Sequence, residues 1–237
     1  RDRFLLTFYE NLGTRQLNLI EIAHFTYKSI HVFGVSRQEM LATYFPLLKL
    51  GLNLQVLDRL LALNELEDYL KLAVINETIT VDMALMLLKR APAEQRALFD
   101  LFQLLHLGTN RQKDFFKLLT DLSAITYQSI PQLLQSPNIA VILEDRKLDH
   151  VLKAQRLREQ LIRLRYPHLA QAEENFHQLK RSLKLPPNII LHPPPFFEGN
   201  RFKLELQFKD AHEFRKLLAT LATIAETNQL ETLTSLV

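Results

Sequence analysis

Cysteine and tryptophan are absent from this 237-residue chain, and glycine occurs only five times. Without cysteine there is no disulfide, no thiolate metal ligand and no thiol nucleophile, and the chain is compatible with a reducing compartment. Neither GxxxxGK[ST], GxSxG nor HExxH occurs, so no local signature of nucleotide hydrolysis, serine hydrolysis or zinc proteolysis is present. No uncharged apolar run reaches the roughly 18 residues of a membrane span, and no charged-apolar-small leader opens the chain. These absences point to a soluble, non-secreted, cytoplasmic protein with no membrane contact. A start at Arg1-Asp2-Arg3 rather than Met predicts a fragment whose N-terminal portion lies upstream.

What is present is ordinary globular composition, 47% hydrophobic and 23% charged, in a length that suits two domains. The net charge of +3 is uneven. Between residues 146 and 184 ten Lys and Arg stand against four acids, a local net of +6. Such a block is either a phosphate-facing surface or a solvated helix face balanced by distant acids.

Helical spacing dominates the first half. Leu19 to Phe33 carries apolar residues at 20, 23, 27 and 30 and is stopped by Gly34. Ser36 with Glu39 predicts a helix from Arg37, which Pro46 breaks or follows with a new short turn. Asn53 caps a run from Leu54 to Leu63, and Asn64 is expected to cap another to about Ile75. Thr80 caps Val81 to Lys89, Pro92 begins the next helix, and Asn110 opens one more to about Ala124. Val35 to Leu63 therefore reads as a helix-turn-helix, a unit that lays its second helix in the major groove of DNA.

Turn signals around Ser129-Ile130-Pro131 and Ser136-Pro137-Asn138 predict a domain boundary, giving 1–128 as a helical domain, 129–166 as a linker with a long basic helix, and 167–237 as an α+β domain. The long helix is predicted from about Asp145 to Arg165. At about 100° per residue it carries Arg146, Lys153, Arg156 and Arg163 on one side as a basic stripe. Past Pro186-Pro187 the period becomes two. Ile189 to Leu191 is one short strand, and Phe202, Leu204, Leu206 and Phe208 alternate with polar residues in a second. Asp210 with Glu213 starts a closing helix through Leu217, Leu218, Leu221 and Ile224. A lone two-stranded sheet is marginal and leaves edges open, so a homodimer is expected through Ile190, Phe202, Leu204, Leu206, Phe208, Leu217 and Leu221; a bulge or loop over the edge is the alternative.

This order of parts resembles the ParB family of chromosome and plasmid partition proteins. Glu10 to Glu21, ENLGTRQLNLIE, resembles the segment that closes that family's nucleotide-binding domain. Arg15 sits one place late, and Leu19 replaces the usual proline. Val35 to Leu41 and Arg59 to Leu63 resemble the two helices of its helix-turn-helix, and Ile79 to Leu88 the segment after it, with Asp82-Met83 where Gly-His is usual. Phe176 to Leu221 resembles its small dimerisation domain. The resemblance implies a mainly α protein, a multi-helical helix-turn-helix domain followed by a small α+β domain with a two-stranded antiparallel hairpin. It also implies a bacterial, dimeric, double-stranded-DNA-binding protein of chromosome partition or transcriptional regulation, nucleoid-associated, with a partition ATPase as a partner of the N-terminal part. An interaction scaffold that keeps this architecture without reading DNA is the other reading.

The family's usual Gly-Lys-Ser-Arg at the recognition turn is replaced here by Leu50-Gly51-Leu52-Asn53-Leu54-Gln55. Arg37, Asn53, Gln55 and Arg59 are the remaining candidates for DNA contact there. Asn53 and Gln55 suit adenine edges and Arg59 a phosphate; helix capping by Asn53 and plain solvation of the others fit the same residues. Glu10 and Asn11 match positions that the family uses near nucleotide phosphates and Mg²⁺, but the body of such a site would lie upstream. No catalysis and no cofactor are expected of this fragment. His24 and His31, seven apart, lack a third metal ligand, so no metal site is expected. Phe196-Phe197 after three prolines reads as core packing or, alternatively, as a docking motif.

Overall fold

A computed structural model of the chain describes residues 2–197, 199 and 201–234. They form a mainly α structure with one two-stranded antiparallel hairpin near the C-terminus. The chain packs as two units, Arg1–Arg158 and Glu159–Val237.

In the first unit, α1 (Asp2–Thr14) is followed by α2 (Leu19–His31). Asn18 caps α2 through a full capping box, accepting from the Glu21 N–H while the Glu21 carboxylate accepts from the Asn18 N–H, each at 2.9 Å. The helix gives way before Gly34, whose φ of +67° suits a residue without Cβ. Ser36 then caps α3 (Arg37–Glu39), which runs through a wider π turn, Met40–Tyr44, into α4 (Phe45–Leu47). Pro46 thus does not end the helix. It lacks an N–H, and its ring would meet the Ala42 carbonyl in a regular α-helix, so the π turn accommodates both defects.

Asn53 caps α5 (Leu54–Asn64), whose buried residues Leu57, Leu60 and Leu63 pack mainly against α2. Asn64 is not the cap predicted for the next helix. It ends α5, with its Oδ1 3.2 Å from His24 Nδ1, and α6 (Asp68–Ile75) starts after Glu67. Thr80 caps α7 (Val81–Leu88) as predicted, and α8 (Pro92–Leu104) begins on its proline. Gly108 rather than Asn110 precedes α9 (Thr109–Thr126). Phe45, Phe102, Phe115, Met40 and Met83 are among the fully buried side chains of this unit.

The segment from 129 onward packs on the helices before it. In α10 (Ile130–Leu134), Ile130 is fully buried and its N–H donates to Glu94 Oε1 at 3.2 Å. Glu94 also meets Arg90 at 2.8 Å, so a nearly buried carboxylate ties α8 to α10. After α11 (Pro137–Glu144), residues 145–149 form a turn, and α12 (His150–Arg165) begins later than predicted. Asp145 accepts from the Lys147 N–H at 2.9 Å, and Asp149 accepts from the Leu152 N–H at 2.8 Å, which makes Asp149 the starting residue. Arg158 reaches Asp114 of α9 at 2.6 Å.

In the second unit, α13 (Pro167–Ser182) leads to β1 (Ile189–His192) and β2 (Lys203–Leu206), then α14 (Ala211–Ala225) and α15 (Asn228–Thr234). Register pairs Ile189 with Leu206 and Leu191 with Leu204 on one face, and Ile190 with Glu205 and His192 with Lys203 on the other. Phe176, Leu183 and Leu191 form the core, joined by Leu179, Leu185, Phe197, Phe202 and Ile224. Phe197 takes the core position expected for it, while Phe196 is 76% exposed. The ladder of β2 stops at Leu206, two residues short of the alternating run, and Asp210 caps α14 by accepting from the Glu213 N–H at 2.8 Å.

Candidate nucleic-acid interface

The start of α5 is held by a local contact. Asn53 is extended, and its Oδ1 accepts from the Gln55 N–H at 2.7 Å. That bond takes one lone pair of Oδ1 and fixes the side chain toward its own helix, leaving Asn53 its amino group and one lone pair to offer a base. Gln55 is exposed, with its amide in no hydrogen bond among the described residues. Arg59, one turn on, is about half exposed and ion-paired with Asp82 of α7. Arg37, on α3, is paired in the same way with Asp58 of α5. The four candidates thus lie on the exposed side of one packed framework, but both cations already have carboxylate partners. Leu52 and Leu54 flank them at 71% and 54% exposure, whereas Leu57 is buried beneath.

The basic stripe is shorter than the spacing predicts. Arg146 precedes α12 and lies in the turn, because Asp149 rather than an earlier residue starts the helix. Lys153 is half-buried, its Nζ donating to the Leu143 carbonyl at 2.6 Å, a structural use of that charge. Arg156 is exposed with no described partner, and so is Arg163, which belongs to the second unit.

The residues expected at a dimer contact divide between environments. Leu217 is buried, Phe202 stacks on Phe176 with ring centroids 6.3 Å apart, and Leu206 and Leu221 are half-buried. Leu204 and Phe208 stay 42% and 52% exposed, and Leu218 of α14 is 44% exposed. Ile190 lies on the opposite face of the hairpin with Glu205.

Glu10 is exposed, and the Asn11 side chain lies outside the described residues. Other residues of the same segment have structural work that sequence reading missed. Arg15 grips Glu21 with two bonds of 2.7 and 2.8 Å, and the Asn18–Glu21 capping box was signalled by its Asn-x-x-Glu spacing. Arg15, followed by the Asn18 N–H, holds the Glu21 carboxyl below the usual carboxylate range. Its folded-state pKa therefore lies below the unfolded value, so the stabilisation is present above the unfolded pKa and is lost as pH falls through the folded one. Glu21→Gln is expected to flatten the acid limb of a stability-against-pH curve; an unchanged limb in urea denaturation would remove Glu21 from the acid response.

An apolar cavity of about 500 Å³ lies beside this pair, lined by Phe4, Phe8, Leu17, Ile20 and Phe25. Among the described residues no group of three or more His, Asp or Glu is placed to hold a metal ion, and no helix is long and apolar enough to cross a membrane. No protein family, curated protein or solved structure matches the chain.

Proposed function

We propose that the chain is a ParB-like DNA-binding protein, dimeric through its second unit and active in partition or transcriptional regulation. The observation that carries this reading is the exposure of Asn53, Gln55 and Arg59 at the start of α5, while the opposite side of that helix is buried. A helix anchored in this way presents its first turns outward, as major-groove insertion requires. The amino group of Asn53 donates to a purine N7, Gln55 reads an adenine edge, and Leu52 and Leu54 meet thymine methyl groups. Arg156 and Arg146 supply phosphate contacts. The role is binding rather than catalysis.

Asp58 and Asp82 set the strength of this interface, because each occupies an arginine that faces the DNA. The double variant Asp58→Asn, Asp82→Asn frees two cations and removes two repelling charges. Its log K against log salt slope is expected to steepen by about 1 to 2 relative to the parent, with tighter binding at low salt, in fluorescence anisotropy with a duplex. An unaltered slope would take Arg37 and Arg59 out of the DNA contact.

A second reading is favoured by Leu47, Leu52 and Leu54, which stay exposed around the same turn. In that reading the unit is an interaction scaffold whose apolar turn meets another protein. The anisotropy titration separates the two, since the scaffold shows no duplex binding tighter than the non-specific range of about 10⁻⁴ to 10⁻⁶ M.

A further inference from the structure

A cavity of about 340 Å³ opens at the C-terminal end of α13, lined by His177, Lys180, Arg181 and Lys184 together with Pro186 and Pro187. We propose that it is a phosphate-binding pocket, on the second unit and separate from the α5 surface. Residues three and four apart share one side of a helix, which brings positions 177, 180 and 181 together, and the left-handed turn after the C-cap adds Lys184 to the lining. No carboxylate lines the cavity. Among the described residues, His177, Arg181 and Lys184 form no ion pair. Lys180, Arg181 and Lys184 bring three permanent cations to one space, which raises the positive potential an anion meets there.

Two further features shape the site for a ligand. The Lys180 Nζ donates to the Leu191 carbonyl at 3.0 Å and lies 5.9 Å from the centroid of the Phe176 ring, so its ammonium is held at the wall. Lys184 has a φ of +47°, just past the helix C-cap, where glycine adopts the left-handed conformation without strain. Non-glycine residues take the same conformation elsewhere in the chain, Lys49, Glu77, His106 and Tyr127 among them, so Lys184→Gly relieves backbone strain while removing one cation. Pro186 and Pro187 have fixed φ and no N–H, which leaves the donors to the side chains. A guanidinium beside two ammonium groups suits the oxygens of a phosphate ester, with Arg181 able to bind two of them. The phosphate belongs either to a nucleic-acid backbone or to a small phosphorylated molecule.

The test uses the full chain, the exposed-residue variant Arg181→Gln, Lys184→Gln, and Lys184→Gly. Inorganic phosphate is titrated calorimetrically and a 16-base-pair duplex by anisotropy, with thermal melting as the fold control. The parent is expected to bind phosphate, and the double variant to bind it about tenfold or more weakly at an unchanged melting temperature. Lys184→Gly should melt no lower than the parent and still bind phosphate more weakly, a split that a purely structural lysine would not give. If the duplex weakens along with phosphate, the source is a nucleic-acid backbone. If phosphate alone weakens, the source is a small phosphorylated molecule. Equal phosphate affinity in the parent and the double variant, or none in either, overturns the pocket. Duplex binding that persists in the double variant but fails in Gln55→Ala, Arg59→Ala leaves the α5 reading standing alone.

Discussion

Replacing Glu94 with alanine is expected to lower the unfolding free energy of the chain by about 3 kcal/mol. The Glu94 side chain is only 11% exposed, and it meets two partners, the Arg90 guanidinium at 2.8 Å and the Ile130 N–H at 3.2 Å. Truncation leaves a buried N–H without an acceptor at the start of α10 and a half-buried guanidinium without its counter-charge. Glu94→Gln keeps an acceptor for Ile130 and loses the charge, so its loss should be smaller, about 1 kcal/mol. Urea denaturation of both variants separates the two contributions. If alanine and glutamine each stay within about 0.5 kcal/mol of the parent, the α8–α10 tie is not a stabilising contact.

The second large effect concerns self-association. Leu204, Phe208 and Leu218 leave three large apolar side chains at 42%, 52% and 44% exposure on the hairpin and the helix after it. Phe208 rests on Phe214 of α14 with ring centroids 4.7 Å apart. Among the described residues β1 and β2 pair only with each other, and in the proposed dimer a two-fold partner would cover these side chains together with a strand edge. With Leu204→Asp, Phe208→Asp, two carboxylates would be desolvated against their copies in the proposed dimer. The dimer dissociation constant should rise by about a hundredfold or more. Sedimentation equilibrium should find the parent dimeric and the variant monomeric at micromolar concentration; a parent that sediments as a monomer there would exclude this contact.

The parts of the fold legible in the sequence are those fixed by neighbours along the chain. Ser36, Asn53, Thr80 and Asp210 cap helices because a short polar side chain satisfies an N–H two or three residues on. The same rule gives two answers near α12, where Asp145 and Asp149 both accept backbone N–H groups. Only packing selects the later one, and Arg146 leaves the helix with that choice. Asn64 has a cap's chemistry, yet His24 lies 40 residues away in sequence and meets it instead.

The candidate site follows the same division. Its framework was legible, because Leu57, Leu60 and Leu63 recur at helical spacing. Its electrostatics were not, because Arg37–Asp58 and Arg59–Asp82 join residues 21 and 23 apart that no local motif links. Lys153 likewise looks like one more free cation until the Leu143 carbonyl is placed beside it. The half-exposed face of β2 was the opposite surprise. Alternation predicts a buried side, and a single copy of the chain covers it only in part.

DNA recognition by the first turns of α5 is tested most directly by selecting bound duplexes from a randomised pool, with the parent and with Asn53→Ala, Gln55→Ala. The parent should enrich one shared sequence at moderate salt, and the variant should bind DNA without enriching it. Enrichment of no sequence by the parent, or of the same sequence by both proteins, would contradict readout by this helix.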